Sequence, residues 1–318
     1  MAPRPARLGT VVVVALALAG CGGGRQGGPD RVRLALDFTP NAAHAGIYGA
    51  TQAGRDRARG VRLEIRQPSA STDSLKLLTT GRADLAILDI HDLGLARERG
   101  EDLVGVGALV QRPLAAVIAG RDVRRPRELE GRRVGVTGLP SDDAVLRSVV
   151  DGDGGRFARV RRVTIGFSAV PSLVARKVAA ATAFWSVEGV TLRARGVPTH
   201  EFRVDDFGAP RYPELVVVTT RRELHAHRDT VARTLRALAD GTRAALRDPA
   251  PVVQAIARAG QAETALVRSE LAAIRPALSP PLALESRALN GWADFDVRFG
   301  ILRRPPDVGR AFDTSLVP

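Results

Sequence analysis

Short apolar segments alternate with helix-like segments along most of the chain, and this alternation constrains the fold more than any other feature. The first rounds are "VRLAL" before a helix ending at Gly54, "VRLEI" (61–65) before a helix stopped by Gly81, and "ADLAIL" before "HDLGLARERG". Short apolar strands separated by helices are typical of a mostly parallel sheet covered by helices. The sequence therefore predicts an α/β fold.

The alternation continues through the middle of the chain, and the C-terminal part is helical. "RRVGVTG" precedes a helix with Ser141 at its N-cap position, and "PELVVVTT" (213–220) predicts a strand that returns to the first part of the fold. Further helices are predicted over 221–247, 249–259, 263–274 and 284–299. Two α/β lobes, with a chain that leaves the first and comes back, predict a small-molecule cleft between them.

The first residues have the pattern of a secretion signal. Arg4 and Arg7 precede an apolar run over 11–20, which is too short to be read first as a spanning helix. The run ends in Leu18-Ala19-Gly20-Cys21, which resembles the lipobox of bacterial lipoproteins. This resemblance implies cleavage of a signal peptide (1–20) and lipid attachment at Cys21, at the outer face of a bacterial cytoplasmic membrane.

The predicted domain organisation follows from these segments. The Gly-rich stretch after Cys21 predicts a lipidated, flexible tether over 21–30. Residues 31–112 plus 213–318 are expected to form lobe 1 with a helical C-terminal wrap, and residues 113–212 lobe 2. No later apolar run is long enough to cross a bilayer. We expect a monomer.

The charge and cysteine content narrow the classes of function. Although the net charge is +13, the arginines are scattered and aromatic residues make up 4% of the chain, which argues against a nucleic-acid partner. Weak attraction to an anionic membrane surface is the alternative explanation of this charge. With one cysteine, no internal disulfide or cysteine metal cluster can form. His225 and His227 have only Glu223 at ligand spacing, so no metal site is expected.

The turn between the first predicted strand and helix contains several polar and aromatic residues that a turn alone does not require. "LDFTPNAAHAGIYGA" places Asp37, Phe38, Asn41, His44 and Tyr48 within a few residues. Tyr48, four residues after His44, falls on the same helix face. A site for a ligand is one explanation. The other is that Asp37 and Asn41 cap the helix and Tyr48 belongs to the core, and spacing alone does not separate the two.

Other candidate binding residues lie at similar positions. In "FWSVEGV", Trp185 follows an apolar strand and Glu188 lies near a helix start, so they are either a stacking ring with a carboxylate or core and dipole residues. The remaining candidates stand before or at helix starts or where the chain leaves lobe 1, and for each of them capping or surface exposure is the alternative: Ser69, Ser71, Thr72, Arg112, Ser141 and Asp142.

From residue 31 to about 299 these blocks resemble a periplasmic-type solute-binding protein of an ABC importer, in the branch similar to thiamine-pyrimidine binding proteins. The opening block is similar to "D-[WF]-x-P-N-x-x-H-x-G-[IL]-Y-x-A", and "PSASTDSLKLLTTGRADLAI", "VGVTGLPSDDAVLRSVV" and "VPSLVARKVAAATAFWSVEGV" resemble later blocks. The resemblance implies a two-lobed periplasmic binding protein fold (type II), an ABC permease and its ATPase as partners, and no cofactor. It also favours Asp37, Phe38, Asn41 and His44 as pocket residues.

The implied solute is a thiamine pyrimidine precursor such as hydroxymethylpyrimidine or its formylamino relative. A flat, amine-bearing ring needs an aromatic face and acceptors for its N–H groups. Riboflavin and sulfonate- or nitrate-type anions are the alternatives. A remote alternative is the yeast-type thiamine-pyrimidine synthase, which uses pyridoxal phosphate on a lysine. His91 resembles its reactive histidine, but "ILDI" offers no lysine, so we expect His91 to be a pocket or helix-start residue.

Overall fold

The structure is a computed structural model that describes Met1 and residues 28–70, 72–139 and 141–317. The predicted signal peptide, Cys21 and most of the tether lie outside the described residues, as does Ser71. The signal peptide, lipid attachment and tether therefore stay predictions. Among the described residues, no helix combines the length and apolarity needed to span a bilayer.

The described strands form two sheets of five. The first sheet has the order β2-β1-β3-β10-β4 and the second has the order β7-β6-β8-β5-β9. In chain order the strands are β1 (Asp30–Ala35), β2 (Val61–Arg66), β3 (Leu85–Asp89), β4 (Leu103–Ala108), β5 (Ala115–Gly120), β6 (Arg133–Val136), β7 (Arg161–Thr164), β8 (Ala180–Phe184), β9 (Thr199–Arg203) and β10 (Leu215–Thr220).

Both sheets are mixed, where mostly parallel sheets were expected. β10 runs antiparallel to β3 and β4, and β5 runs antiparallel to β8 and β9, while the other described pairs are parallel. The reason is the route of the chain. β5 and β10 each begin directly after the chain has crossed from the other lobe, so they start at the cleft, where the parallel strands end. The α/β class and the two-lobed arrangement are confirmed.

The helices cover both sheets, and those after β10 form the C-terminal wrap. They are α1 (Ala45–Gln52), α2 (Arg55–Ala58), α3 (Asp73–Thr79), α4 (Ile90–Glu98), α5 (Ser141–Gly152), α6 (Ala169–Val174), α7 (Glu188–Ala194), α8 (Arg221–Ala226), α9 (Arg228–Arg247), α10 (Pro249–Gly260), α11 (Thr264–Ile274), α12 (Ser286–Arg298) and α13 (Val308–Ala311). The helix predicted over 221–247 is divided at His227, whose backbone leaves the helical conformation.

The chain crosses between the sheets twice, over 109–114 and 204–214, and the two crossings are bonded to each other. The Leu109 amide donates to the Leu215 carbonyl at 2.7 Å. The Glu214 carboxyl accepts from the Leu114 amide at 2.8 Å, and Arg112 pairs with Asp205 at 2.7 Å. These bonds hold the two crossings side by side. The lobe boundaries given above remain a prediction.

Helix α1 lies very close to α9, and glycine makes this possible. A Cβ on Gly46 would collide with the Thr242 side chain, and one on Gly49 or Gly241 would collide with the facing backbone. The glycines of "HAGIYGA" therefore serve helix packing. This packing also fixes the segment before α1, which carries Asp37 to His44.

Candidate functional site

A cavity of about 330 Å³ lies between the two lobes, at the ends of the strands. This is where open α/β sheets bind small molecules, and the volume is at the lower end of the range for ligand pockets. Lobe 1 and the C-terminal crossing line it with Asp37, Phe38, Thr72, Ser74, Leu75, Ile87, Leu88, Asp89, Asp92, Arg99, Glu214 and Leu215. The remaining lining residues are Ala115, Thr137, Gly138, Leu139, Ser141, Asp142, Val145, Phe167, Thr182, Ala183, Phe184 and Glu188.

The lining combines apolar walls with an excess of carboxyl groups. Six carboxyl side chains face the cavity, whereas Arg99 is the single cation among the residues that line it: Asp37, Asp89, Asp92, Asp142, Glu188 and Glu214. Carboxyl oxygens accept hydrogen bonds, and in an apolar enclosure they attract N–H donors strongly. Those of them that are ionised repel an anion. The cavity is thus suited to a ligand with several N–H donors.

Asp37 is held in place by His44. The His44 Nε2 atom lies 2.8 Å from Asp37 Oδ1, and its Nδ1 atom accepts the Asn41 amide at 3.2 Å. Because Nδ1 is an acceptor, the proton of the neutral ring is on Nε2 and is donated to Asp37. His44 is fully buried and does not line the cavity. It therefore orients Asp37, and a direct contact of His44 with a ligand is not supported.

Aromatic side chains reach the cavity from both lobes. The ring of Phe38 from lobe 1 meets that of Phe167 from lobe 2 edge-on, with centroids 4.4 Å apart. Phe184, the last residue of β8, lines the opposite part of the cavity. Such rings supply apolar faces for a flat ligand. Phe38 was expected here from the sequence, and Phe167 and Phe184 were not.

Trp185 does not line the cavity, contrary to the expectation from sequence. It is 5% exposed, its Nε1 donates to the Pro113 carbonyl at 3.2 Å, and the Arg203 guanidinium lies 4.2 Å from its ring centre. These contacts hold the ring in the core beside the first crossing, while Phe184, the residue before it, lines the cavity. The stacking role predicted for Trp185 is not supported.

Glu188 is the lobe 2 carboxyl that faces Asp37. It starts α7, is half-buried, and accepts the Phe184 amide through Oε2 at 3.0 Å. Burial raises the pKa of Glu188 to about 7, and the negative charge of Asp37 raises it further in the same direction. Asp37 and Glu188 thus approach one cavity from opposite lobes, as the sequence analysis predicted, and a ligand contact by either stays a prediction.

Asp142 and Ser141 lie in the lining but have structural partners. Asp142 accepts from the amides of Thr137, Gly138 and Leu139 and from the hydroxyl of Thr182, at 2.5 to 3.1 Å. Ser141 is the first residue of α5 instead of its N-cap, and it donates through its amide and hydroxyl to Asp92 of lobe 1 at 3.3 and 3.2 Å. Burial raises the pKa of Asp92 to about 8.

Several other predicted binding residues lie outside the lining. Asn41 caps the 3-10 helix Ala42–His44, Ser69 donates to Asp73 on the surface, and Arg112 joins the two crossings. Tyr48 is a core residue whose pKa is raised to about 12 by burial. Asn41, Ser69 and Tyr48 follow the alternative explanations given above, whereas Arg112 is a partly buried ion-pair residue instead of an exposed one. Thr72 does line the cavity, as predicted.

His91 is enclosed behind the cavity and does not reach it. It is fully buried, with Nδ1 2.5 Å from Asp296 Oδ1 and Nε2 3.0 Å from the Tyr212 hydroxyl. Burial alone would lower the pKa of His91, but the charges of Asp296 and Asp89 raise it to about 10. Both ring nitrogens have partners, so the predicted pocket role of His91 is not supported, whereas its place in the first turn of α4 is as expected.

Besides Phe184, four lining residues of chemical interest were not predicted from the sequence. Asp89 and Asp92 stand at the end of β3 and in the first turn of α4, Glu214 stands directly before β10, and Phe167 follows β7. Their common signal is a carboxyl or aromatic residue within three residues of a strand end or start. That signal is present in the sequence, but it also fits helix caps, and Asp89 does cap α4.

Two five-stranded sheets with a cavity between them at the strand ends define a periplasmic binding protein fold. The alkanesulfonate-binding protein SsuA of Xanthomonas axonopodis pv. citri, solved with MOPS bound, has this fold, with a TM-score of 0.72, 18% identity and coverage of 90% of this chain and 99% of that chain. At this identity the similarity concerns the fold alone. Residues 41–251 match the family described as NMT1/THI5 like, and the chain belongs to this family.

Two curated relatives share part of the sequence. The formylaminopyrimidine-binding protein of Halalkalibacterium halodurans is 30% identical over 215 residues, which are 67% of this chain and 65% of that protein. A putative thiamine biosynthesis protein of Haemophilus influenzae is 27% identical over 198 residues, or 61% of this chain and 63% of the relative. The matches therefore span slightly less than two thirds of each relative.

Proposed function

We propose that this chain is the substrate-binding lipoprotein of an ABC importer that captures a small, amine-bearing heterocycle. The solute is a thiamine pyrimidine precursor, either hydroxymethylpyrimidine or its formylamino relative. The family membership, the binding-protein fold and the similarity to a formylaminopyrimidine-binding protein support this assignment. In this proposal Cys21 carries the lipid anchor at the outer face of the cytoplasmic membrane, and a permease with its ATPase receives the solute.

The observation that carries the proposal is the composition of the cavity wall. Six carboxyl groups and a single arginine line it, together with phenylalanine rings from both lobes. An aminopyrimidine offers N–H donors at its edge and apolar faces on its ring, so it matches both features. A sulfonate or nitrate ion would meet a single cation in this lining, Arg99, and would be repelled by those carboxyl groups that are ionised. The composition therefore favours the pyrimidine over the anion.

In this proposal, residues of both lobes bind the ligand. Asp37, oriented by His44, accepts a ligand N–H from lobe 1, and Glu188 accepts one from lobe 2. Phe38, Phe167 and Phe184 enclose the ring and exclude water, which strengthens the hydrogen bonds inside. Because acceptors come from both lobes, the ligand stabilises the arrangement in which the lobes lie together, as hinge closure requires.

The enzyme alternative lacks support at this site. A Schiff base with pyridoxal phosphate needs a lysine amine, and no lysine is among the residues that line the cavity. Lys76 and Lys177 are the lysines of the whole chain, and His91 has both ring nitrogens bonded inside the core. These residues do not fit the cofactor, which favours binding without chemistry.

The test is calorimetric titration of the tether-truncated chain with hydroxymethylpyrimidine, its formylamino relative and an alkanesulfonate. Glu188→Gln should weaken pyrimidine binding by about 10- to 100-fold, because a charge-assisted hydrogen bond is replaced by a weaker one. Arg99→Gln is the matched control and should leave pyrimidine binding within about twofold. Sulfonate binding that is lost in Arg99→Gln and retained in Glu188→Gln would refute the proposal.

A further inference from the structure

Glu214 occupies an unusual position at the floor of the cavity. It stands at the end of the second crossing and is fully buried, and its side chain lines the cavity. Its Oε2 atom accepts the amides of Leu114 and Ala115, at the end of the first crossing, at 2.8 and 3.3 Å. Its own carbonyl accepts the Ile90 amide at 3.0 Å. The carboxyl group is therefore held rigidly.

The other carboxyl oxygen of Glu214, Oε1, is buried and accepts from no amide, hydroxyl or cationic group within the described part of the chain. The carboxyl group has Asp89, itself a carboxyl, as a side-chain partner. A buried polar atom left without a partner costs about 1 to 3 kcal/mol, and more when it is charged. Structures retain such atoms where a water or a ligand completes the bond. Since Glu214 lines the cavity, a molecule bound there can supply the missing donor.

Asp89 lies beside Glu214 in the same lining. Burial raises the pKa of each of these carboxyl groups, and the charge of Glu214 contributes to raising that of Asp89. His91, paired with Asp296, stands behind them and acts in the opposite direction on both. Two close carboxyl groups of this kind share one proton. When a ligand enters, this proton can turn from the partner carboxyl to the ligand, and the pair then offers one hydrogen-bond donor and one acceptor.

We infer that Glu214 and Asp89 are the groups that recognise the amino-bearing edge of the ligand, where an exocyclic N–H₂ adjoins a ring nitrogen. The carboxylate accepts from the amino group, and the protonated carboxyl donates to the ring nitrogen. This assignment rests on the proposed function and adds the specificity-determining edge. It also places the ligand against the residue that joins the two crossings. A pyrimidinone carries a carbonyl beside a ring N–H and would need the proton on Glu214. The Leu114 and Ala115 amides favour Glu214 as the carboxylate, so the pyrimidinone is the poorer match.

The experiment compares two ligands on matched variants. Hydroxymethylpyrimidine and its 4-oxo counterpart are titrated against the wild-type chain, Glu214→Gln, Asp89→Asn and Glu270→Gln. Glu270 is the control, because it is also buried and accepts a backbone amide, from Ala42, yet lies outside the cavity lining. We expect wild type to prefer the amino ligand by at least tenfold. Glu214→Gln and Asp89→Asn should reduce this ratio to below about threefold, and Glu270→Gln should preserve it.

The outcomes separate this inference from the proposed function. If the wild-type chain binds neither ligand, the proposed function is wrong. If wild type binds the amino ligand and Glu188→Gln weakens it, but both Glu214→Gln and Asp89→Asn keep the wild-type ratio, the inference is wrong and the proposed function stands. A merely structural role would lower the affinities for both ligands equally. Should Glu214→Gln fail to fold, the ratio measured for Asp89→Asn decides.

Discussion

The two lobes have the same sheet and use it differently. The strand orders β2-β1-β3-β10-β4 and β7-β6-β8-β5-β9 correspond strand by strand, with an antiparallel strand from beyond the crossing in the fourth place of each. In both sheets the parallel strands end at the cleft. The scaffold thus brings equivalent loops to the cavity from two sides, and the difference between the lobes lies in what those loops carry.

Lobe 1 presents carboxyl groups with unused acceptor capacity, while the carboxyl groups of lobe 2 are largely engaged by their own backbone. Glu214 Oε1 accepts from no amide, hydroxyl or cationic group in the described residues, and Asp37 is bonded through Oδ1 to His44. In contrast, Asp142 accepts from three amides and two hydroxyls. A carboxyl group in a binding-site wall is therefore a recognition group only if its hydrogen bonds are not already satisfied.

The largest effect that tests this contrast is on stability. Asp142→Ala removes the acceptor shared by three partly buried or exposed amides of the loop 137–139 and by the buried Thr182 hydroxyl, so we expect the free energy of unfolding to fall by about 3 kcal/mol. Urea denaturation measures it. Asp143→Ala, in the same helical turn, removes only an exposed ion pair with Arg162 and should cost less than about 1 kcal/mol. Equal stability of the two variants would mean that Asp142 does not shape the loop.

A comparable effect is expected from a buried carboxyl group between the lobes. Glu270 lies on α11, which packs against α7 of lobe 2 and the segment 42–44 of lobe 1. Burial raises the pKa of Glu270 to about 7 from an ordinary value of 4.5. Between these values the folded chain holds a proton that the unfolded chain has lost. The contribution of this group to stability is thus complete below pH 4.5 and is lost as the pH rises through 7.

Glu270→Gln should flatten this part of the stability profile. Urea denaturation of the ligand-free chains from pH 4.5 to 8 measures this. Over that range the free energy of unfolding of wild type should fall by up to about 3 kcal/mol more than that of the variant. The ligand-binding ratio described above should not change. A variant with the same pH profile as wild type would show that Glu270 titrates normally in the folded chain.

A smaller effect is expected where the aromatic rings of the two lobes meet. Phe38→Leu and Phe167→Leu each remove one ring of the edge-to-face pair, and each should weaken pyrimidine binding by about 3- to 10-fold. Calorimetry measures this loss. Phe207→Leu is the control, since this half-buried ring also meets another ring, Phe202, but lies outside the cavity lining. A loss for Phe207→Leu equal to the others would point to a general loosening of lobe 2.

The smallest effect is expected at the polar contact between the lobes. Ser141→Ala removes the hydroxyl bond to Asp92 but keeps the amide bond, so ligand affinity should fall by no more than about fivefold. Ser148→Ala removes a hydroxyl bonded within its own helix and should not alter affinity. An increase in affinity for Ser141→Ala would indicate that this contact opposes the ligand-bound arrangement.

Much of the fold was predictable from the sequence because its strands are separated by clear helix signals. β1, β2, β3, β6, β7, β8 and β10 lie where apolar segments predict them. β4, β5 and β9 were not predicted, because "LVGVGALV" and "LAAVIAG" are continuous apolar runs without periodicity, and "THEFR" carries charges that are unusual in a strand. The direction of β5 and β10 depends on the crossings, which no local pattern reveals.

The site was less predictable, since its composition depends on orientation. Asp37, Phe38, Thr72, Ser141, Asp142 and Glu188 were placed near the cleft from sequence and do line the cavity. Trp185 was expected there and Phe184 lines the cavity instead, because the Trp185 ring is held by the Pro113 carbonyl and the Arg203 guanidinium, contacts that no local pattern reveals. Glu214 was missed because its importance comes from bonds to Leu114 and Ala115, a hundred residues earlier in the chain.

The contact between Phe38 and Phe167 has a consequence for timing. These rings belong to opposite lobes and touch beside the cavity. A ligand that passes between them must first separate the rings, so its residence time would depend on how often the rings separate as well as on its own hydrogen bonds. In the proposed function, a permease that opens the two lobes would then set the time at which the ligand is released.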